Sequence, residues 1–138
     1  MNNLQSQSLD PLAQNAISMG IESINQTETL EKITLEFDQL SRHKLKRLAN
    51  SLTLSVRTVI ESAINYTCSY IIESDTTLND LWIDDLPNPT FPVKITLSLE
   101  TTKKLEQVGM SQSINQCAII GINLLYDRLL SHTPPIHD

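Results

Sequence analysis

Glycine is scarce in this chain. Only Gly20, Gly109 and Gly121 occur among 138 residues, and no two lie close enough to build a phosphate-cradling loop, which excludes the familiar nucleotide-binding signatures. Aromatic residues amount to 4%, too few for the stacking platforms that hold single-stranded nucleic acid. The two cysteines, Cys68 and Cys117, sit in apolar-periodic stretches without CxxC spacing, so they read as reduced core residues rather than a metal or redox site. No apolar run reaches the length that crosses a bilayer. The opening MNNLQSQSLD has neither the basic start nor the apolar core of a secretory signal, so a cytoplasmic protein with no membrane partner is expected. His43, His132 and His137 share no metal-ligand spacing with a Cys or carboxylate cluster, and no Gly-x-Ser-x-Gly or HExxH context occurs. No metal, cofactor or catalytic activity is therefore expected.

What remains is a composition of 40% hydrophobic and 19% charged residues, globular in character and long enough for one ordinary domain. The net charge of −6 argues at first against a nucleic-acid partner, because phosphate binding leaves a basic footprint. The distribution qualifies that total. Residues 29–72 hold six basic side chains (Lys32, Arg42, Lys44, Lys46, Arg47, Arg57) against four acidic ones, and residues 93–131 hold four (Lys94, Lys103, Lys104, Arg128) against three. The nine other acids lie outside these segments, with no Lys or Arg among them. Two mildly basic units are joined and flanked by acidic chain.

Those units are also internal repeats. KITLEF at Lys32–Phe37 and KITLSL at Lys94–Leu99 both alternate with the two-residue period of a half-buried strand. Ile33, Leu35 and Phe37 oppose Lys32, Thr34 and Glu36; Val93, Ile95, Leu97 and Leu99 oppose Lys94, Thr96 and Ser98. A short helical pattern follows each strand, Leu40, Leu45, Leu48, Ala49 and Leu52 in the first repeat, Leu99, Thr102, Leu105 and Val108 in the second, with Gly109 as a stop. A longer helix closes each repeat. Ser55 caps a pattern of Val56, Val59, Ile60, Ala63, Ile64 and Ile71, and Ser113, with Ser111 as a competing cap, one of Ile114, Cys117, Ala118, Gly121, Ile122, Leu125 and Leu129. Aligning Ser55 with Ser113 sets Ala63 opposite Gly121, which places small residues where the long helices approach. Lys32 to Ser55 spans 23 residues and Lys94 to Ser113 spans 19, so the first helix of the second repeat is expected to be shorter.

A unit of this size buries too little surface to fold alone, and a single strand has no hydrogen-bond partner. The two KITL strands are expected to pair antiparallel, apolar face on the helices and polar face in solvent. This arrangement resembles the ribbon-helix-helix family, which includes the Arc, CopG and methionine repressors; two units in one chain resemble its tandem, TraY-type members. The resemblance covers residues of about 30–72 and 93–130. It implies a mainly α fold with a two-stranded antiparallel ribbon, a tandem ribbon-helix-helix pseudo-dimer plus an N-terminal amphipathic helix. It also implies a sequence-specific transcriptional regulator of double-stranded DNA, most simply a repressor. In the family, exposed strand residues enter the major groove, which carries over to Lys32, Thr34, Glu36, Lys94, Thr96 and Ser98 as base readers, residue types whose donors and acceptors suit base edges. The backbone at the start of the second helix clamps phosphates, which carries over to Ser55, Val56 and Arg57 and to Ser113, Ile114 and Asn115. Only the first clamp has a cation, and Glu36 stands where the other strand has Ser98, so a non-palindromic subsite is expected. The run Arg42, Lys44, Lys46, Arg47 is a further candidate phosphate patch. An ordinary solvated sheet face and a solvated helix face remain the alternative readings of these residues.

The remaining segments complete the division of the chain into 1–28, 29–72, 73–92, 93–131 and 132–138. Asp10-Pro11 opens a helix of about 10–25 with Leu12, Ala16, Ile17, Gly20, Ile21 and Ile24 on one face, which packs back on the domain, mediates self-association, or binds a protein partner. The acidic linker 73–92 carries Trp82, Ile83, Asp84 and Asp85, with Trp82 and Ile83 as its anchor, and the tail 132–138 is expected to be flexible. Self-association on DNA is expected, through the N-terminal helix or an exposed flank of Ile119, Ile120 and Leu124. Two other functions fit the same pattern, an accessory DNA-binding protein of a plasmid or other mobile element and an antitoxin-like protein-binding module.

Overall fold

The computed structural model describes residues 11–24, 31–77, 81 and 89–130. Trp82, Ile83, Asp84, Asp85, the tail 132–138 and the Asp10 cap lie outside the described residues. The elements are helix α1 (Pro11–Ile24), strand β1 (Glu31–Asp38), helices α2 (Gln39–Leu52) and α3 (Val56–Ser74), strand β2 (Thr90–Leu97), helix α4 (Leu99–Gln107), a 3-10 turn (Ser111–Ser113) and helix α5 (Ile114–Leu129). The fold is mainly helical with one two-stranded antiparallel sheet.

Strand alternation decides what the sheet buries. Leu35 and Phe37 of β1 and Ile95 and Leu97 of β2 are buried, whereas Lys32, Thr34, Glu36 and Lys94 are exposed. The ladder pairs Ile33 with Ile95, Lys32 with Thr96 and Thr34 with Lys94, so each KIT string lies against the other in reverse. Pro92 faces Glu36 in this ladder. The main-chain N–H and C=O of Glu36 both bond to the Asn115 side chain of α5, which marks the pair as one whose main chains turn outward. The missing N–H of proline therefore removes no ladder bond.

Both strands run directly into capped helices. The Asp38 carboxylate accepts the Ser41 N–H at 3.3 Å to open α2, and the Ser98 hydroxyl accepts the Thr101 N–H at 3.2 Å to open α4. Helix α2 has 14 residues and α4 has 9, the shortening expected from the spacing. Thr53 ends α2 in the left-handed region, φ 57° and ψ 48°, a conformation that costs a non-glycine residue about 1 kcal/mol. Ser55 then caps α3, accepting the Thr58 N–H at 3.1 Å. The second long helix starts differently: Ser113 makes no side-chain cap, and the 3-10 turn from Ser111 leads into α5. The paired serine caps expected from the sequence hold only for α3. Four further positions depart from the strand and helix patterns, Val56 at the start of α3 being exposed. Leu99 leaves the strand for the first residue of α4 and is exposed, Leu40 is 59% exposed, and Ile21 on the apolar face of α1 is also exposed.

Helix α3 is the centre of the molecule, buried continuously from Thr58 to Cys68. Helix α5 crosses it with Gly121 directly over the main chain of Ala63, so close that a Cβ would overlap the backbone. Helix α1 lies on α3 through Ala13, Ala16 and Gly20, and Gly20 meets the side chain of Ser62 and its N at 3.0 Å. The N-terminal helix thus packs on its own domain. Ile119 and Ile120, expected as an exposed flank, are 6% exposed and belong to the interior, and Leu124 is half-buried. No helix among the described residues is long and apolar enough to cross a membrane.

Candidate nucleic-acid interface

The solvent face of the sheet carries two lysine–threonine pairs. Lys32 stands opposite Thr96 and Thr34 opposite Lys94, and because these are the pairs whose main chains turn outward, their side chains are the closer kind, with Cβ atoms about 4.5–5.5 Å apart. The two cations occupy opposite corners of a four-residue patch and the two threonines the other corners. Lys32, Thr34 and Lys94 are exposed and Thr96 is half-buried.

An open depression of about 710 Å³ runs from this patch to the start of α3, lined by Lys32, Ile33, Thr34, Lys94, Ile95, Thr96, Val56 and Arg57. It joins four of the six expected base readers to two of the three residues in the first expected phosphate clamp. Ser55, exposed at the cap of α3, precedes them directly. Helix N-termini attract anions because their first N–H groups lack intrahelical partners, and here one opens beside the exposed sheet face.

Two expected readers have different positions. Ser98 is fully buried; it caps α4 and its main-chain N–H and hydroxyl both donate to the Glu61 carboxylate. The strand ends at Leu97, one residue before the alternation would have exposed Ser98, because the helix cap takes over there. Glu36 is exposed at the opposite end of the sheet, accepting the Thr90 hydroxyl at 3.1 Å.

The second clamp differs from the first in each of its residues. Ser113 and Ile114 are half-buried at the end of the 3-10 turn. Asn115 occupies the position equivalent to Arg57, and its amide is spent on Glu36: its oxygen accepts the Glu36 N–H at 2.6 Å and its nitrogen donates to the Glu36 carbonyl at 2.9 Å. This clamp is not part of the depression around the lysine–threonine patch.

The basic run on α2 is largely turned onto the protein. The Arg42 guanidinium lies 4.5 Å from the centroid of Phe91, and Lys44 and Arg47 lie 5.2 and 5.9 Å from the Tyr126 ring. Lys44 also donates to Asn123 at 2.7 Å. His43, Lys46 and Arg47 are exposed. These contacts fasten α2 to β2 and α5, so three of the four cations have an intramolecular use.

Beneath the depression lies a polar cluster that periodicity did not reveal. Glu61 is fully buried on α3 and accepts the Ser98 N–H at 2.8 Å, the Ser98 hydroxyl at 3.1 Å and the Thr101 hydroxyl. Asn65 donates to Thr101 at 3.2 Å and to the Glu61 carbonyl at 2.8 Å. The Arg57 guanidinium approaches the same carboxylate at 3.7 Å. The one signal in the sequence was a carboxylate inside the apolar and small-residue run from Val59 to Cys68.

Cys68 and Cys117 are both free and buried. A hydrogen bond between the thiols lowers the pKa of Cys68 and raises that of Cys117, with burial pushing both upward. Cys117 also contacts the Met110 sulfur at 3.7 Å. Among the described residues, no three His, Cys, Asp or Glu side chains gather as metal ligands. No family model, curated protein or solved structure matches this chain.

Proposed function

We propose that the chain is a sequence-specific regulator of transcription that binds double-stranded DNA as a single-chain ribbon-helix-helix pseudo-dimer. The observation that carries this reading is the ladder register. Antiparallel pairing of two KIT strings sets Lys32, Thr34, Lys94 and Thr96 on one solvent face, with Arg57 at a capped helix start beside it. A two-stranded ribbon fits the major groove, lysine donates to guanine O6 and N7, and threonine offers a hydroxyl or packs its methyl on thymine. The net charge of −6 is compatible with this because three cations, Lys32, Lys94 and Arg57, line the depression that the duplex would meet.

The base-reading set supported by the geometry is Lys32, Thr34, Lys94 and Thr96, with Glu36 at the ribbon's end; Ser98 is buried and takes no part in it. Phosphate contact centres on Ser55, Val56 and Arg57. Repression by occluding a promoter is the simplest outcome of such binding, and a mobile-element accessory protein would use the same interface. Docking of α1 on α3 through Ala13, Ala16 and Gly20 favours these over an antitoxin-like module that presents α1 to a partner, since that face is already covered. One ribbon reads only a few base pairs, so adjacent copies are expected on DNA.

Selection from a random duplex pool near physiological salt tests the reading. Enrichment of one sequence, bound roughly a thousandfold or more tightly than its scrambled counterpart, is the expected result. A folded, monodisperse protein that enriches nothing would contradict it.

A further inference from the structure

The Arg57 side chain is 24% exposed, yet its Nε and Nη2 atoms are buried and have no hydrogen-bond partner. A separation of 3.7 Å from Glu61 is an ion-pair distance and too long for a hydrogen bond. Both atoms are shut off from solvent, and Arg57 meets the depression beside Lys32 and Lys94 through the rest of its side chain. The Glu61 carboxylate, by contrast, accepts three hydrogen bonds. All its hydrogen bonds described above come from the joint between β2 and α4, from Ser98 and Thr101, so it is fixed to the second repeat although it belongs to the first.

We propose that Glu61 is a positioning residue for DNA binding: held by Ser98 and Thr101, it sets the Arg57 guanidinium against the ribbon as a receptor for one phosphodiester, and makes that receptor move with β2. The inference rests on the DNA-binding reading and adds its asymmetry. Ser98 follows Thr96 by two residues, so a displacement of the reading strand is passed to the clamp through two hydrogen bonds and one ion pair. The second repeat has no counterpart. The position equivalent to Glu61 is Ile119, which is buried and apolar, and the position equivalent to Arg57 is Asn115, whose amide is bound to Glu36. Among the described residues one clamp is therefore charged, and the subsite is bound with a fixed polarity.

The test uses the full chain, the duplex enriched by selection and its scrambled counterpart, with affinity measured across a salt series. Glu61→Gln keeps the shape and weakens the hold on Arg57. The expected result is a loss of roughly fivefold in affinity for the enriched duplex and a salt slope shallower by about one ion. In an Arg57→Ala background the same substitution should have no further effect, because its influence runs through that guanidinium. Thr101→Val and Ser98→Ala remove hydrogen bonds to Glu61 without removing its charge; they should shift affinity the same way and serve if Glu61→Gln does not fold. The inference is overturned if folded variants keep the wild-type salt slope, or if Glu61→Gln weakens binding equally with and without Arg57. If the wild-type chain prefers no duplex, the functional reading itself fails, and that is seen before any variant is made.

Discussion

The amide of Asn115 brackets the main chain of Glu36, accepting its N–H at 2.6 Å and donating to its carbonyl at 2.9 Å. This pair closes the outer edge of β1 at the one place where β2 offers a proline, Pro92. Helix α5 thereby holds the far end of the sheet in register.

Removing the bracket should loosen that end. Asn115→Ala is expected to lower stability by about 1–2 kcal/mol, the range for two hydrogen bonds that water partly replaces. Urea denaturation measures it. Hydrogen exchange should quicken most at Glu36, and unchanged exchange there would remove the bracket's assigned role.

The crossing of α3 and α5 leaves no room for a side chain at Gly121, which faces the Ala63 main chain. Gly121→Ala should destabilise by about 1–3 kcal/mol or more, since the obstacle is backbone and cannot rotate away. Gly20→Ala meets mainly the Ser62 side chain and should act locally, loosening α1 and quickening proteolysis near the N-terminus while the rest keeps its denaturation midpoint.

How much of this was legible in the sequence depends on what each feature answers to. The strands, the shorter first helix of the second repeat and the Ala63–Gly121 approach follow from periodicity and spacing, which report local geometry. The Ser98 position does not, because alternation says which side a residue faces only while the strand lasts, and a helix cap ended it at Leu97. Ile119 and Ile120 are buried where the pattern suggests a surface flank, because a helix covered on several sides has no single apolar stripe. The Glu61 cluster joins residues 37 and 40 positions apart, and nothing in a local pattern reports such a contact.

The ribbon and the clamp should separate by substitution. Thr34→Ala and Thr96→Ala are expected to relax sequence preference at the base each reads, by less than the ~1–3 kcal/mol of a bidentate contact. Arg57→Ala should weaken all duplexes alike and make the salt slope shallower by about one. Binding by all three variants at wild-type strength and selectivity would exclude the ribbon as reader.

Cys68 and Cys117 should resist modification in the folded protein. Both are fully buried, and the Cys117 thiol is held protonated by its bond to Cys68, whereas alkylation needs an accessible thiolate. Labelling with iodoacetamide should proceed only at the rate of opening or unfolding. Rapid stoichiometric labelling in native buffer would show that the α3–α5 interior opens far more readily than its packing implies.

The most direct measurement is an amide chemical-shift titration of the full chain with the selected duplex. The largest changes are expected at Lys32, Thr34, Lys94 and Thr96 together with Val56 and Arg57, and smaller ones at Ser113–Asn115. Changes concentrated on α1 or along α2, with the ribbon unaffected, would contradict the ribbon's role as reader.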